Sequence, residues 1–289
     1  MARSSKTALT SGKRLTGVSL KDRMVGFCLE QGADLIGFPP VARWDEADEV
    51  PPDFRPRAIW PPARTVIVIG IQMALPVVET TPSVLHMELY RTVNRQLDDL
   101  AVALMNHLNR QGHASFFFAR DSFSSLAALE HGRPAAFSHV MAAKYAGLGT
   151  IGLSHCLLTP EFGPRVRLVS VFTAAELPGD AVVSEDLCVK CGLCAQTCPA
   201  QALKKKEGSI VGEYDKQACL EMARELTRKG CYPCGTCTKV CPVGKDRKLY
   251  RQPGIARKYR KETAALARDP DDPQYRAWQH IRKYGLRPD

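Results

Sequence analysis

The sequence predicts an α/β domain followed by a smaller, cysteine-rich module. Three observations support this division. Apolar residues make up 45% of the 289 residues, enough to build a substantial core. Strand-like and helix-like segments alternate over residues 18–180, as they do in domains that stack helices on a sheet. Nine of the eleven cysteines then fall within residues 181–248, which indicates that this region has a chemistry of its own.

The chain opens with a polar, basic stretch, residues 1–17, which predicts a flexible arm. It lacks the apolar run of a secretory signal, and no window of eighteen uninterrupted apolar residues follows it. The first helix is predicted to begin after Ser19, a good N-cap residue, and to stop at Gly32. Cys28 falls on the apolar face of that helix and is predicted to be a core thiol.

The remaining elements of the first domain follow from apolar periodicity. Alternating or β-branched runs predict strands at 34–38, 64–71, 115–119 and 165–173. The second of these is apolar on both faces, as in a central strand covered on two sides. A long amphipathic helix is predicted over 85–108 and a shorter one from Ser138 to Ala146, with Gly147 placed to end it.

Eight cysteines form two copies of one motif, C-x2-C-x2-C-x3-C followed by proline. The copies are Cys188, Cys191, Cys194 and Cys198, and then Cys231, Cys234, Cys237 and Cys241. Bacterial ferredoxins bind 4Fe–4S clusters with this spacing, and the fourth cysteine of each run ligates the other cluster. We therefore predict a first cluster on Cys188, Cys191, Cys194 and Cys241, and a second cluster on Cys231, Cys234, Cys237 and Cys198.

Zinc is the alternative to clusters, but structural zinc takes four ligands as two separated pairs, whereas this motif has four cysteines in each run. A helix is predicted between the motifs, over Gln217 to Arg228, and Cys219 within it is expected to be a packed thiol. Cysteines that belong to metal motifs rather than to disulfides indicate a reducing compartment. We therefore expect a soluble, cytoplasmic protein without a membrane partner.

The formal net charge is +10, and each oxidised cluster with its four thiolates would lower it by about 2. Residues 249–289 are predicted only as a basic tail. Basic residues gather around its start: Lys245, Arg247, Lys248, Arg251, Arg257, Lys258, Arg260 and Lys261. This cluster is suited to RNA phosphates or to an acidic electron donor, and it is equally typical of a solvated helix face.

A glycine-rich segment, Ala146-Gly147-Leu148-Gly149-Thr150-Ile151-Gly152, precedes the last predicted strand. Its glycines permit tight turns and a close approach of backbone to a bulky group. A dinucleotide fingerprint should follow a strand and open a helix, whereas these glycines close a helix, so that interpretation fails. A purely structural turn remains the alternative.

Together with Leu157-Leu158-Thr159-Pro160-Glu161-Phe162-Gly163, this segment resembles the corrinoid-binding segment of the epoxyqueuosine reductase family, which is related to the reductive dehalogenases. The preceding Gly32 to Gly37 and Pro40-Val41-Ala42-Arg43 occur in the same order as in that family, and the resemblance spans about residues 20–245. It implies a nitroreductase-like, corrinoid-binding α/β (α+β) domain over 18–180 and a two-cluster ferredoxin-like module over 181–248.

The resemblance also implies a base-off cobalamin beside the nearer 4Fe–4S cluster, reduced by electrons that pass through both clusters. The residues expected to contact this corrinoid are Gly147, Leu148, Gly149, Thr150, Ile151, Gly152, Thr159, Glu161 and Gly163. The expected electron donor is a flavodoxin or ferredoxin, and the expected substrate is a small organic molecule or a nucleoside.

Two features depart from the epoxyqueuosine reductases. The aspartate that this family offers over cobalt is replaced by the Arg133-Pro134-Ala135-Ala136 stretch, and only about forty residues follow Lys248 in place of a helical tRNA-gripping domain. The epoxide substrate is therefore not carried over, whereas an RNA-binding protein that modifies tRNA despite the shorter C-terminal region stays an alternative.

A proton donor is needed for a net two-electron reduction, and it must reach the reacting atom. His139 opens the helix that leads into the glycine segment and is the first candidate. Tyr145 is the second, through its phenol. Asp121 and Arg133 are weaker candidates. For both leading residues the alternative is an ordinary packed side chain.

The sequence thus predicts a cobalamin-dependent iron–sulfur reductase. The alternative is a ferredoxin-like electron carrier that feeds a partner enzyme and binds no corrinoid.

Overall fold

The computed structural model describes residues 17–121, 125, 126, 128, 134–250 and 255–284. Of the predicted N-terminal arm, all but Gly17 lies outside this range. Helix α1 (Leu20–Glu30) begins at Ser19, whose hydroxyl accepts a hydrogen bond from the Asp22 amide, so the predicted cap is confirmed. Cys28 is fully buried, as predicted.

The elements of the first half follow in chain order. Strand β1 (Leu35–Gly37) leads into two short 3-10 turns at Val41–Trp44 and Pro52–Phe54 and the one-turn helix α2 (Pro56–Ile59). Strand β2 (Thr65–Gln72), helix α3 (Leu75–Val78) and the long helix α4 (Val84–Arg110) come next. Strand β3 (Ser115–Phe118) completes this half.

The second half of the domain contains the glycine-rich segment. Helix α5 (His139–Tyr145) is capped by Ser138, as predicted, and the chain then forms a hairpin of strands β4 (Thr150–Ile151) and β5 (Leu157–Leu158). Strand β6 (Val166–Thr173) ends the domain. Gly147 has a φ of 72°, which suits its predicted place just after the helix.

Four strands form the main sheet in the order β1-β2-β6-β3, and every pair is antiparallel. An antiparallel sheet with helices on both faces is the α+β form of the predicted class. Helices α1 and α4 pack on one face around Leu97, Leu104 and Ile69, and α5 packs on the other around Trp44 and Phe172. The central strand β2 is buried along nearly its whole length, as predicted.

The cysteine-rich module is built from short elements, with most of its cysteines on the connecting loops. These are helix α6 (Leu193–Gln196), strands β7 (Leu203–Lys204) and β8 (Glu213–Tyr214), helix α7 (Lys216–Arg228) and helix α8 (Thr236–Val240), and then a 3-10 turn at Lys245–Tyr250. Strands β7 and β8 pair with each other. Helix α7 lies where the sequence predicts it.

The segment predicted only as a basic tail folds into two helices, α9 (Ile255–Arg268) and α10 (Arg276–Lys283). They pack on the module through Tyr259, Tyr275 and Trp278, which join Leu193 and Val240 in a third apolar cluster. Within the described part of the chain, no helix is both long enough and apolar enough to cross a membrane.

A buried polar network joins these helices to the module. The Lys239 ammonium lies 2.7 Å from Glu262 and 4.7 Å from the centre of the Trp278 ring. Arg282 pairs with Glu262 and donates to the Thr80 carbonyl. Burial, with a smaller contribution from nearby Arg282, lowers the pKa of Lys239 to about 8. Arg282 of the tail and Lys239 of the module therefore form buried ion pairs that hold the two helices against the rest of the protein.

Gly149 and Gly26 provide a matched test of backbone packing. A Cβ on Gly149 would overlap the Leu158 carbonyl oxygen of the hairpin, whereas a Cβ on Gly26 in α1 meets nothing within 4 Å. We expect Gly149→Ala to lower the free energy of unfolding by about 2 kcal/mol, as overpacking does. Gly26→Ala should raise it by about 0.5–1 kcal/mol. Anaerobic urea titrations measure both, and an undiminished stability in Gly149→Ala would contradict this view of the hairpin.

Candidate functional site

The glycine-rich segment packs against the chain that leads into the cysteine-rich module. A Cβ on Gly147 would overlap the Ala181 carbonyl oxygen, and the Thr150 hydroxyl accepts a hydrogen bond from the Leu187 amide at 3.0 Å. Both contacts hold the chain just before Cys188. The predicted corrinoid contacts at Gly147 to Gly152 therefore face the protein's own backbone or core in this structure, and the corrin-binding role of these residues stays a prediction.

The second part of the predicted corrinoid segment holds the chain after Cys241. The Phe162 amide donates to the Thr159 hydroxyl, and Glu161 pairs with Lys245 at 3.2 Å. A Cβ on Gly163 would overlap the carbonyl oxygen of Val243. Thr159, Glu161 and Gly163 thus form a loop against which the Cys-Pro turn of the second motif packs.

Arg165, which has no exposed surface, holds the same turn in place through several hydrogen bonds. Its guanidinium lies 2.6 and 2.7 Å from the two carboxylate oxygens of Asp246 and donates to the carbonyls of Thr238 and Cys241 at 3.2 and 3.1 Å. A bidentate arginine pair of this kind sets position as well as charge. The α/β domain therefore holds the second motif through one fully buried side chain.

The four cysteines assigned to the first cluster line one small cavity. Cys188, Cys191, Cys194 and Cys241 share it with Leu153 and Leu158 of the hairpin, among other apolar residues. The crossover from Cys241 is thus already formed by the chain itself. A ring of four thiols in an apolar shell fits the ligand requirement of one 4Fe–4S cluster.

The cysteines of the second set make contacts within the module. Cys234 carries its sulfur 3.2 Å from the Thr236 hydroxyl, and the sulfur of Cys198 accepts the Ala202 amide at 3.4 Å. Cys231 is buried. Among the residues with described positions, no three His, Cys, Asp or Glu side chains converge at the distances of a single bound ion.

A cavity of about 790 Å³ lies between the α/β domain and the module. Cys237 lines one wall, so the second set of cysteines borders this space. Its other walls combine apolar and aromatic side chains with a few basic ones, and they include Phe54, Tyr90, Phe137, Arg167, Tyr214 and Tyr232. Large, mostly apolar cavities with a few convergent polar groups are the usual form of cofactor and ligand sites.

One wall of the cavity carries a hydrogen-bonded group around Tyr90. The Tyr90 hydroxyl donates to the Asp121 carboxylate at 3.1 Å, and Arg167 pairs with the same oxygen at 2.8 Å. The Arg167 guanidinium lies 4.5 Å from the centre of the Tyr90 ring. The Tyr232 ring packs edge-on against Tyr90 from the module side.

His139 lines the same cavity, but both of its ring nitrogens are occupied. Nε2 lies 2.9 Å from the Ala119 carbonyl oxygen, which only accepts, and Nδ1 lies 2.9 Å from the Ser170 hydroxyl. Nε2 therefore carries the proton, and Nδ1 accepts from Ser170. Burial lowers the pKa of His139 to about 4. This geometry favours a neutral, packed histidine, so its proposed donor role is untested and gains no support here.

Tyr145, the second predicted donor, is not among the residues that line the cavity. Its hydroxyl donates to Glu49 at 3.0 Å, and burial together with this bond raises its pKa. Asp121 accepts from Tyr90 and Arg167 and so acts as their partner. Arg133 lies outside the described residues.

Sequence reasoning missed Tyr90, Arg167, His155 and Cys156. The first two look like ordinary members of an amphipathic helix and a strand. His155 and Cys156 belong to no motif, and the φ of 60° at His155, which is rare for a residue other than glycine, is visible only in the structure. Residues forced into such backbone conformations cluster at functional sites.

Comparison with known proteins decides the nature of the module. Residues 187–245 match the family described as the 4Fe–4S dicluster domain. This region is a 4Fe–4S dicluster domain. The ferredoxin-like prediction for the module is thereby confirmed.

The chain is also related to two kinds of reductase. It is 28% identical over 171 residues to a tetrachloroethene reductive dehalogenase of Desulfitobacterium hafniense, a match that covers 58% of this chain and 28% of the relative. It is 37% identical over 76 residues to an epoxyqueuosine reductase of Listeria monocytogenes, covering 26% and 18%. The predicted resemblance is confirmed. The chain spans about a quarter of the length of the dehalogenase and less of the epoxyqueuosine reductase.

Solved structures support the same fold. A reductive dehalogenase whose structure is described for B12-dependent dehalogenation superposes with a TM-score of 0.64 at 19% identity, covering 95% of this chain and 40% of its own. An epoxyqueuosine reductase bound to a tRNA-Tyr stem loop gives a TM-score of 0.55 at 19% identity, covering 78% and 65%. At this identity the likeness concerns the fold, which agrees with the predicted class.

Proposed function

We propose that this protein is a corrinoid-dependent iron–sulfur reductase. The cysteines of the two motifs would hold two 4Fe–4S clusters and the cavity of about 790 Å³ would hold a corrinoid, and together these groups would supply the electrons to reduce a small organic or nucleoside substrate. The observation that carries the proposal is the position of Cys237, a predicted ligand of the second cluster, in the wall of that cavity. The relationship to reductive dehalogenases and epoxyqueuosine reductases supports it.

The order of the clusters follows from exposure. Cys191 is exposed, and its neighbour Val189 keeps 63% of its surface open to solvent. Cys237 instead faces the internal cavity. A protein donor such as a flavodoxin or ferredoxin therefore has access to the first cluster, while the second cluster serves the cavity. Each cluster supplies one-electron transfer when bound.

The cavity fits a large, flat, partly polar cofactor. Aromatic rings such as Tyr214 and Tyr232 offer apolar walls, and Lys216 and Arg120 add charge at its edge. A corrinoid bound there supplies the reducing chemistry at the substrate, while the chain supplies position, exclusion of water and protons. None of the residues from Gly147 to Gly152 is among those that line the cavity. The hairpin residues His155 to Leu157 do line it, so a corrinoid there would contact these residues.

Tyr90 is the best placed proton donor on the cavity wall. Its hydroxyl donates to Asp121 at 3.1 Å, and the Arg167 guanidinium lies 4.5 Å from the centre of its ring. His139 is less suited, because burial lowers its pKa to about 4 and its Nε2–H donates to the Ala119 carbonyl. We therefore assign the proton to the Tyr90 hydroxyl.

Adjacent alanines give a direct test of the cavity as the corrinoid site. Ala135 lines it, whereas Ala136 is exposed and does not. We expect Ala135→Trp to weaken binding of cobalamin at least tenfold because the indole fills the space, and Ala136→Trp to leave it unchanged. Anaerobic titration of the reconstituted protein, followed by visible absorption, measures both. Equal binding by the two variants would place the corrinoid elsewhere. No binding even by the parent chain would favour the electron carrier.

A further inference from the structure

We propose that the outer face of helix α9 is the docking surface for an acidic electron-carrier protein, the donor to the first cluster. The inference rests on the proposed function in that a protein donor reduces that cluster. From the sequence, the basic residues near the C-terminus suit RNA, an acidic donor or plain solvation alike. The fold separates those that make contacts inside the protein from those that form one exposed face.

Some of these basic side chains are occupied within the fold. Arg247 donates to the Cys241 carbonyl at 3.0 Å, so it holds the end of the second motif. The Lys258 ammonium lies 4.3 Å from the centre of the Trp278 ring, where it joins the two C-terminal helices. Both residues stabilise the protein itself and are not counted in the docking surface.

The remaining basic residues of α9 lie on one side of the helix. Arg257, Arg260, Lys261 and Arg268 are all exposed, and spacings of three, four and seven residues place side chains on the same side of an α-helix. The only acidic residue in the sequence of this helix, Glu262, is buried and paired within the protein. These four side chains form the α9 basic face, to which the helix itself adds no negative charge.

The positive charge of this face is concentrated at the start of the helix. The turn that follows Arg268 carries Asp269 and Asp272, whose carboxylates accept hydrogen bonds from amides of the same turn at 3.0 and 2.9 Å. These acids offset part of the Arg268 charge. A negatively charged partner is therefore attracted most strongly to the first two turns of α9, which carry Arg257, Arg260 and Lys261.

The buried side of α9 lies next to a predicted ligand of the first cluster. Tyr259 and Ala265 of this helix belong to the third apolar cluster together with Leu193, and Cys194 packs against the same cluster. An α-helix with its side chains is about 10–12 Å across. A protein seated on the α9 basic face is thus separated from the layer that Cys194 touches by roughly one helix diameter.

This position favours a redox protein over RNA. Sequence-specific and single-stranded RNA binding relies on bases stacked on aromatic side chains, but Tyr259, Tyr275 and Trp278, which pack beneath α9, are all buried. Encounters between electron-transfer proteins are small and weak, and complementary charge mainly speeds their association. A short basic face beside a cluster ligand meets that requirement.

The test measures binding of a fluorescently labelled, oxidised, acidic plant-type ferredoxin to the anaerobically reconstituted full chain, by anisotropy at low ionic strength. Arg257→Glu combined with Lys261→Glu reverses the charge of the face at two exposed positions. We expect Kd to rise about tenfold or more in this double variant, and binding by the parent chain to weaken as salt is added.

Arg95→Glu combined with Arg110→Glu is the matched control. Both residues are exposed on α4, in the α/β domain, and the pair makes the same change in net charge. Kd should then change by less than about twofold, because exposed charges farther away than the Debye length are screened. Iron content should be the same in the parent chain and in both double variants.

Four results would overturn the inference: no binding of the ferredoxin by the parent chain, binding that does not respond to salt, equal Kd values in the two double variants, or tighter binding of a labelled RNA stem loop that is lost with Arg257→Glu and Lys261→Glu. The last result would assign the face to RNA. Titration with cobalamin separates these outcomes from failure of the proposed function. A chain that binds cobalamin but not the ferredoxin contradicts only the docking surface, and a chain that binds the ferredoxin through α9 but no cobalamin contradicts only the corrinoid.

Discussion

Cys241→Ser is expected to remove the first cluster and leave the second, although Cys241 lies in the second motif. Its sulfur shares a small cavity with Cys188, Cys191 and Cys194, and each 4Fe–4S cluster needs four thiolates. Iron should therefore fall from about eight to about four per chain. Since bound metal supplies folding energy, the module should also lose stability.

Double variants show which cysteines act together. Cys241→Ser combined with Cys188→Ser should retain about four irons, because both remove the same cluster, whereas Cys241→Ser with Cys198→Ser should retain none. Cys219→Ser is the matched control, since Cys219 lies in the module outside both motifs, and it should keep the full content. If Cys241→Ser with Cys231→Ser retained four irons, the ligands would be grouped by motif and the crossover would be wrong.

Arg165→Met is expected to be the most destabilising substitution outside the cysteines. It leaves the Asp246 carboxylate buried without its partner and frees the carbonyls of Thr238 and Cys241. Removing one member of a buried ion pair costs about 3–5 kcal/mol. Anaerobic denaturant unfolding of the reconstituted protein should show a loss of this size, together with faster release of iron from the first cluster.

Arg57→Met is the control for this prediction. Arg57 pairs with Asp45 at 3.1 Å, but both side chains are about half exposed, and such surface pairs contribute roughly 0–1 kcal/mol. Replacing both members, as Arg165→Met with Asp246→Leu, should recover part of the loss because no unpaired charge remains buried. Equal effects of Arg165→Met and Arg57→Met would show that the buried pair does not hold the module.

Local rules predicted much of this fold. The caps at Ser19 and Ser138, the long helix α4 and the buried strand β2 depend on neighbouring residues and on apolar period, and all are confirmed. The cysteine spacing predicted the dicluster domain for the same reason, because three ligands of each cluster come from one short, continuous segment of the chain.

Contacts between distant segments were not predictable in this way. The glycine-rich segment resembled a cofactor loop, yet its glycines are also required where Gly147 approaches Ala181 and where Gly149 approaches Leu158 of the hairpin. The two helices of the basic tail were not predicted. They are held by contacts with the module, such as the ion pair between Glu262 of the tail and Lys239 of the module, which forms only after the chain has folded back. Tyr90, Arg167 and Cys156 meet the cavity through tertiary packing, which one sequence does not report.

The central claim is that two clusters deliver electrons to a corrinoid in the cavity that Cys237 borders. Elemental analysis of iron and cobalt tests it most directly, on the full chain reconstituted anaerobically with iron, sulfide and cobalamin and then freed of unbound cofactor by gel filtration. The account predicts about eight irons, from two four-iron clusters, and one cobalt per chain. A chain that keeps its iron but elutes without cobalt would contradict it.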